Sequence, residues 1–511
     1  MCGIIFNKIN NFEIFDSTDL FTRIKRRGPD FHSTLNSLSG SYSCSVLHLR
    51  GTEITQQPLR SNNGDILCYN GQIFDSFKVP DDKNDGVILL NTLSTLNHVD
   101  LREFLLKFAD PCAFVFHSAT TQSTFFGRDI LGRRSLVMSI SNDGIIVSSI
   151  PHPSLSWEEC DATYLYELKS DNTLIKHKRS STVKLNRQFT DSESVEHIPA
   201  NVIDEFHHIL TQAVDKRVRC IPTHNKTTSN IKECKLAVLF SGGIDCTMVA
   251  HLASKLLPIS EPIELINVAF CATPNASLET VREVCSRAPD RQTALEAVGE
   301  LEKLHSDREF RLVNVDISTE DYNCEKQNVI ELMYPKNTVM DLSLAAPLYF
   351  ASRGNGHLFN TGEDYTTQAR VLLSGLGADE ALGGYGRHRV AYQKGGWEGV
   401  ADELEMDLDR LPSRNLGRDD RVIAHHSREV RFPFLAYPLL EWLSKLPLHQ
   451  KADFRQAELG DKRLLRILAA SEGLMSASKR AKRAMQFGSR SSRMDGAGGS
   501  KAKGDDIIKL H

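Results

Sequence analysis

Short apolar runs, broken by turn-forming clusters, fill the first part of the chain. Ile4–Phe6, Ser45–Leu49, Ile66–Tyr69, Ala113–His117, Phe125–Phe126, Leu136–Ile140 and Ile145–Ser148 each read as a strand, with Gly, Asn, Asp and Pro between them. Val87–Leu96 and Leu101–Phe108 instead space their leucines at helical period. The pattern predicts a mixed α+β domain. After about residue 195 the rhythm changes. Val202–Val218 carries apolar residues every three to four positions, as a helix does. Leu236–Phe240, Ile263–Phe270 and Phe310–Ile317 are continuous apolar runs of the buried kind, with Arg370–Leu373 as a fourth. Helical spacing separates them, so a parallel, doubly wound α/β sheet is expected. The stretch 273–308 is polar and reads as an insertion or long loop. From residue 489 to 511 a Gly/Ser/Lys-rich tail is expected to lack fixed structure.

Composition adds limits. The 511 residues hold 61 basic and 65 acidic side chains, a net charge of −4, with 41 % hydrophobic and 25 % charged residues. These are values of a soluble globular protein long enough for two to four domains at roughly 150 residues each. The near-neutral balance excludes a strongly basic nucleic-acid binder. Nowhere do about 18 apolar residues run together, as a membrane-spanning helix would need. MCGIIFNKINN has no basic n-region, so no signal peptide is readable there. Eleven cysteines, an odd number with no CxxC pair, speak against a disulfide framework or structural zinc. A reducing, cytoplasmic setting is the expectation, with the cysteines other than Cys2 and Cys246 as buried apolar fillers. The adjacent His425 and His426 read as structural, because neighbours on a helix point apart and no carboxylate spacing supports a metal.

Two regions carry candidate chemistry. Cys2 follows Met1; with Met1 removed, its free α-amine, titrating near 8, could take the proton of its own thiol through a water. In the second half, the strand ending at Phe240 runs into Ser241-Gly242-Gly243-Ile244-Asp245-Cys246-Thr247 and then a helix, Met248–Leu257. Two glycines at a strand-to-helix turn let backbone N–H groups approach a phosphate, with hydroxyls from Ser241 and Thr247. An aspartate there would repel phosphate unless a cation lay between. Leu372-Leu373-Ser374-Gly375-Leu376-Gly377-Ala378-Asp379-Glu380, followed by Gly383-Gly384-Tyr385, repeats the design. Asp245 and Asp379 would sit at carboxyl ends of neighbouring parallel strands, where open α/β sheets bind ligands, and as a pair they suit Mg²⁺.

Arg27-Gly28-Pro29-Asp30, His48-Leu49-Arg50, Gln57-Pro58, Asn70-Gly71-Gln72 and Asn84-Asp85 follow Cys2 in an order that resembles the class II, N-terminal nucleophile glutamine amidotransferases. The turn at 241–247 resembles the SGGxDS/T loop of the N-type ATP pyrophosphatases, and 374–385 resembles the SGEGADE…GGY of asparagine synthetase and β-lactam synthetase. Asp419-Asp420-Arg421, Arg428 to Leu435, Lys462 to Arg466 and Arg480 to Ser489 extend that likeness to about residue 490. Within that family the chain resembles the asparagine synthetase domain-containing protein 1 group, which shares SRNLGRDDRVI, RFPFL and KRAMQFGSR. The resemblance implies an N-terminal nucleophile αββα sandwich over residues 1–190 and an α/β parallel-sheet ATP pyrophosphatase domain, adenine nucleotide alpha hydrolase-like, over 200–488.

It also implies roles. Cys2 attacks the glutamine amide; Asn70 and the Gly71 N–H hold the oxyanion; Arg50 pairs with the α-carboxylate and Asp85 with the α-ammonium. Leu239, Ser241, Val268, Ser374 and Gly375 bind ATP, and Lys482 or Arg483 neutralises the departing pyrophosphate. Ammonia then passes through an internal tunnel to an adenylated carboxylate, normally that of aspartate. The expected partners are glutamine, ATP, Mg²⁺ and a carboxylic acid, with a homodimer as the assembly and neither nucleic acid nor membrane. Three departures mark the chain. Gln72 replaces the family's glutamate, a loss of about 1.5–3 kcal/mol for one charge-assisted hydrogen bond, roughly ten- to a hundredfold in affinity. Leu376 replaces the glutamate that deprotonates ammonia, a change of about 10²–10⁴ in rate. Ala436 replaces an aspartate. The expectation is an attenuated ligase of asparagine synthetase type. A ligase for another carboxylate and a degenerate nucleotide-binding scaffold stay open as alternatives.

Overall fold

The computed structural model describes residues 2–9, 17–180, 183–189, 197–223, 232–456, 458–496 and 504–508. Two six-stranded antiparallel sheets build the first half. One runs Glu158–Glu159, Val137–Ser141, Gly144–Ser148, Gly3–Ile9, Gly40–Val46, Phe31–Ser37; the other runs Leu174–Lys178, Tyr164–Leu168, Ser123–Arg128, Cys112–Ser118, Ile66–Gly71, Leu59–Arg60. Side chains alternate across a strand. Ile4 and Phe6 therefore point between the sheets, onto Cys44, Cys68, Val115 and Phe126, while Ile5 packs outward. Helices Asp85–Leu93 and His98–Lys107 cover the second sheet through Leu89, Leu93, Leu101 and Leu105, which meet Phe114, Phe116 and Phe125. Helix Ser17–Lys25 covers the first sheet through Leu20 and Ile24. The result is four layers, helix, sheet, sheet and helix pair.

The second half centres on a seven-stranded sheet in the order Asp364–Thr366, Asn355–Leu358, Phe310–Ile317, Ile263–Phe270, Leu236–Leu239, Val371–Leu373, Glu429–Arg431. The last five are parallel, and the first two add an antiparallel edge. The apolar runs mark four of these strands, Leu236–Leu239, Ile263–Phe270, Phe310–Ile317 and Val371–Leu373, to within a residue, and miss Asn355–Leu358, Asp364–Thr366 and Glu429–Arg431. Two expectations fail. The stretch 273–308 is no loop: it holds helices Leu278–Ser286 and Pro289–Leu304. Their buried faces are narrow, Val281 with Cys285 and then Ala294, Ala297, Val298 and Leu301, so the alanines and charged residues hide the period. The tail is not structureless from 489 either. Ser491–Gly496 forms a 3-10 turn with Met494 buried, and Ser491 Oγ donates to Ser343 O at 2.6 Å. Further on, Val339 N–H donates to Asp506 O at 3.0 Å and Met340 N–H to Gly504 O at 2.8 Å. The first turn of helix Val339–Arg353 has N–H groups without helical partners, and this segment satisfies them. Residues 497–503 and 509–511 of the tail, like Met1, lie outside the described residues.

One apolar core runs through both halves, from Leu20 and Leu47 to Leu439 and Leu465. Buried charges join the halves as well. Arg27 Nη2 meets Asp420 Oδ2 at 2.7 Å, Arg134 lies 3.3 Å from Glu429, and Arg421 Nη2 lies 2.6 Å from Glu159. Asp420 and Arg421 belong to helix Gly417–Ala424, which is buried over its whole length. None of the eleven cysteines is in a disulfide, and most are buried, but Cys324 is exposed and Cys220 half-buried. Among the described residues no helix is long and apolar enough to cross a membrane.

Candidate active site

Cys2 is buried just before the strand Gly3–Ile9. Its backbone N–H donates to Asn70 Oδ1 at 2.9 Å, and its Sγ accepts from Gln57 Nε2 at 3.3 Å. Gln57 is held by Tyr69, whose N–H donates to Gln57 Oε1 at 2.8 Å and whose carbonyl accepts from Nε2 at 3.0 Å. Asn70 is the penultimate residue of the strand Ile66–Gly71, and its Nδ2 has no hydrogen-bond partner among the described residues. Beside it, a Cβ on Gly71 would sit 2.5 Å from Pro111 O and 2.7 Å from Cys112 Cβ, so only glycine fits. Burial pushes the Cys2 thiol up, and the carboxylates of Glu429 and Asp85 add to the rise.

Arg50 and Asp85 converge on the chain just beyond Asn70. Arg50 Nη1 donates to Ile73 O at 3.0 Å and Nη2 to Val79 O at 3.2 Å, while the Ile73 N–H donates to Asp85 Oδ2 at 2.9 Å. Burial raises Asp85 to about 6, against the pull of that N–H and of Arg50. Gln72, also buried, anchors its N–H on Pro111 O at 3.0 Å. The structure thus gathers Cys2, Asn70, Gly71, Arg50 and Asp85 around one strand end, together with Gln57, to which the sequence assigned no role.

The second assembly is a cavity of about 420 Å³ at the carboxyl ends of the parallel strands. Leu239, Ser241, Gly243, Asp245, Val268, Ser374, Gly375, Asp379 and Lys482 line it, as does Leu376. The glycine turns are sterically required. Gly242 has φ +76° and a Cβ there would lie 2.4 Å from the Thr293 backbone; a Cβ on Gly375 would lie 2.7 Å from Asp245 Cβ. Gly242 itself sits behind the wall, its carbonyl held by Arg480 Nη1 at 2.7 Å. Thr247 is also displaced from the expected position: it is fully buried, and Oγ1 donates to Gly243 O at 2.8 Å. A threonine in the first turn of a helix can donate to the carbonyl four residues back, and here that bond turns the hydroxyl away from the cavity.

Lys462 bridges the two aspartates. Its Nζ donates to Asp245 Oδ1 and Oδ2 at 2.8 and 2.6 Å and lies 2.7 Å from Asp379 Oδ1. Lys482 Nζ donates to Asp379 Oδ2 at 2.5 Å. Burial alone would raise Asp379, but Lys462 and Lys482 outweigh it and hold the carboxyl well below its usual range. Burial raises Asp245 despite Lys462, and Asp379 adds to that rise. Burial would lower Lys482, yet Asp379 and Asp245 hold its ammonium above the usual lysine range. Sequence reasoning gave Lys462 no role, although a Lys-x-x-Leu-Arg string marks it; only the fold brings it 217 residues back to Asp245.

Two carboxylates that share one ammonium form an oxygen donor set of the kind Mg²⁺ accepts when phosphate and water complete its shell. Among the described residues no group of three or more His, Cys, Asp or Glu could hold a metal by itself, so any cation here would depend on its phosphate ligand.

Comparison with known proteins gives the family. The profile of the Asparagine synthase family matches residues 230–395 and 390–499, over half of the chain. The human asparagine synthetase domain-containing protein 1 is 32 % identical over 97 % of this chain and 96 % of its own length. A Saccharomyces cerevisiae asparagine synthetase domain-containing protein is 32 % identical over 99 % of this chain and 92 % of its own. The glutamine-hydrolyzing asparagine synthetase of Bos taurus is 24 % identical over 91 % and 80 %. The chain belongs to the asparagine synthase family and, within it, to the group of asparagine synthetase domain-containing protein 1.

Proposed function

We propose that the chain is an ATP-driven, glutamine-dependent amide ligase of asparagine synthetase type, working in the cytoplasm. In this reading residues 1–190 form a class II amidotransferase domain with the N-terminal nucleophile αββα fold. Residues 200–488 form an ATP pyrophosphatase domain. The observation that carries the reading is the cluster of Asp245, Lys462, Asp379 and Lys482 beside the Ser241–Gly243 turn, at adjoining parallel-strand ends.

In the first domain the Cys2 thiolate attacks the glutamine side-chain amide once Met1 is removed. Asn70 Nδ2, buried and free of other bonds among the described residues, and the Gly71 N–H stabilise the oxyanion, the strongest kind of term such a site offers. Arg50 and Asp85 hold the α-carboxylate and α-ammonium. In the second domain, backbone N–H groups of the glycine turn and the hydroxyl of Ser241 cradle the phosphates. Leu239 and Val268 flank the base, and Ser374 and Gly375 close over it. Mg²⁺ would be held by Asp245 and Asp379 and would neutralise triphosphate charge. Lys482 then turns from Asp379 to the pyrophosphate that leaves when a carboxylate attacks the α-phosphate. Arg483 lines the same cavity and can assist. Aspartate is the acceptor that family resemblance implies.

ATP–pyrophosphate exchange over a panel of carboxylic acids tests the proposal. Exchange that Asp245→Asn plus Asp379→Asn abolishes supports it. Exchange with no acid in the panel, or nucleotide binding untouched by that double substitution, overturns it.

A further inference from the structure

Gln57 is buried beside Cys2 and has no part in the roles assigned to Arg50, Asn70, Gly71 and Asp85. Its place follows from the strand pairing. Leu59–Arg60 runs antiparallel to Ile66–Gly71 with Leu59 opposite Leu67, and the same register carried two residues on sets Gln57 opposite Tyr69. A backbone neighbour there would exchange both ladder bonds with Tyr69. The Gln57 side chain does so instead: Oε1 accepts from the Tyr69 N–H at 2.8 Å, and Nε2 donates to the Tyr69 carbonyl at 3.0 Å. Ser33 Oγ fixes the backbone end, donating to Gln57 O at 2.7 Å.

A peptide group has one N–H, and a primary carboxamide has two. The spare hydrogen is the one that Cys2 Sγ receives, with Nε2 at 3.3 Å. The amide cannot turn over to offer its oxygen, because that would set Oε1 against the Tyr69 carbonyl and Nε2 against the Tyr69 N–H. From Gln57 the sulfur therefore meets only a donor. Thiol sulfur is a weak acceptor, whereas a thiolate bears a full charge, and a donor fixed on the charged form favours that form. Such help is needed here. Burial, Glu429 and Asp85 push the thiol up, and the positive charge at the chain start and the Leu47 backbone pull it down. Glu429 is paired with Arg431 and Arg134, Asp85 feels Arg50, and the Cys44 thiol also lies near Cys2.

We propose that Gln57 holds the Cys2 sulfur as a thiolate and aims it, donating to Sγ from an amide that the Tyr69 backbone keeps from turning. The S–H proton passes to the α-amine freed by loss of Met1; Gln57 gives a hydrogen bond and parts with no proton. The assignment rests on the amidotransferase reading of Cys2 and adds a residue that acts on the nucleophile and not on the substrate.

The pH profile of Cys2 alkylation by iodoacetamide, followed on the N-terminal peptide of the full chain by mass spectrometry, tests this without glutamine. Gln57→Met keeps the length and removes the donor, and its midpoint should rise by about one to two units. Gln57→Glu keeps the bond from the Tyr69 N–H and, once ionised, faces Sγ with oxygen, so its midpoint should rise at least as far. In glutamine hydrolysis near pH 7 both should lose about 10- to 100-fold in kcat with KM little changed, and the Gln57→Met loss should shrink as pH rises. An unmoved alkylation midpoint, a raised KM with kcat unchanged, or loss of the fold in both variants by circular dichroism overturns the proposal and makes Gln57 structural or substrate-binding. Unsubstituted protein that releases no ammonia from glutamine, while Gln57→Met still moves the midpoint, overturns the amidotransferase reading and leaves the hold of Gln57 on Cys2 standing.

Discussion

Asn70 gives its carbonyl oxygen to the Cys2 N–H and leaves its amide nitrogen buried without a partner among the described residues. An unsatisfied buried donor costs about 1–3 kcal/mol, a cost that an oxyanion accepting from it would offset. Asn70→Ala should therefore lower the kcat of glutamine hydrolysis by about 10²–10³ while KM changes little, read by ammonia release. A raised KM with kcat unchanged would assign Asn70 to substrate binding instead. The residues around it were legible because short strings such as Asn70-Gly71 and Gln57-Pro58 stay contiguous. Lys462 stood in a recognisable string, but its role was not legible, because nothing local tells a lysine that meets an aspartate across the fold from one that meets water. Thr247 was misread for a related reason: its type announces a hydroxyl, and only the helix geometry decides where the hydroxyl points.

At the scale of elements, the glycine turns carry the site. The Gly383-Gly384-Tyr385 segment lies directly on the acid–lysine cluster: a Cβ on Gly384 would stand 2.0 Å from Asp379 Oδ1 and 2.3 Å from Lys462 Cε. Gly384→Ala should destabilise the fold by about 1–3 kcal/mol, seen as a lower denaturation midpoint, and should weaken ATP binding in the fraction that stays folded. Unaltered stability and binding would show that the cluster yields easily. Strands such as Ile263–Phe270 and Phe310–Ile317 were readable because burial on both faces makes them continuously apolar. The helices within 273–308 were not, because alanine-lined contact faces carry little hydrophobic contrast. The π-helical turn Pro412–Leu416, which joins helices Gly386–Leu411 and Gly417–Ala424, left no trace in the periodicity.

For the whole molecule, charge buried between the halves dominates. Arg27→Ala would leave Asp420 with Arg134 at 3.6 Å and the Ser135 N–H at 3.1 Å but without its shortest cationic contact. Breaking one side of a buried pair costs about 3–5 kcal/mol. Urea unfolding should show that loss, and a much smaller value would mean that Arg134 and Ser135 compensate. Acid should act at the same boundary. His425 Nε2 accepts from Arg26 Nη1 at 2.9 Å, and burial, with Arg26 and Arg23 nearby, lowers the imidazole to about 4. A depressed histidine contributes stability above its unfolded value near 6.5 and loses it as pH falls toward 4, about 3 kcal/mol in the limit. Unfolding at pH 7.5 and pH 5 should differ by a good part of this, and His425→Gln should shrink the difference. An identical pH response in that variant would place the effect on other groups. The near-continuous core between the halves could not be read from residue patterns, which report burial but not which surface provides it.

Helix Gly417–Ala424 turns Arg418 and Asp419 to the cavity and Asp420 and Arg421 to the first half. Two neighbouring pairs of side chains on eight residues therefore serve opposite clients. Cutting the polypeptide between residues 190 and 200 and producing the pieces separately would strand Arg27 and Glu159 on one fragment and Asp420 and Arg421 on the other. Each fragment would present a wide greasy face studded with unmatched ions, prone to precipitate alone, and soluble material should be recovered only when both are made together.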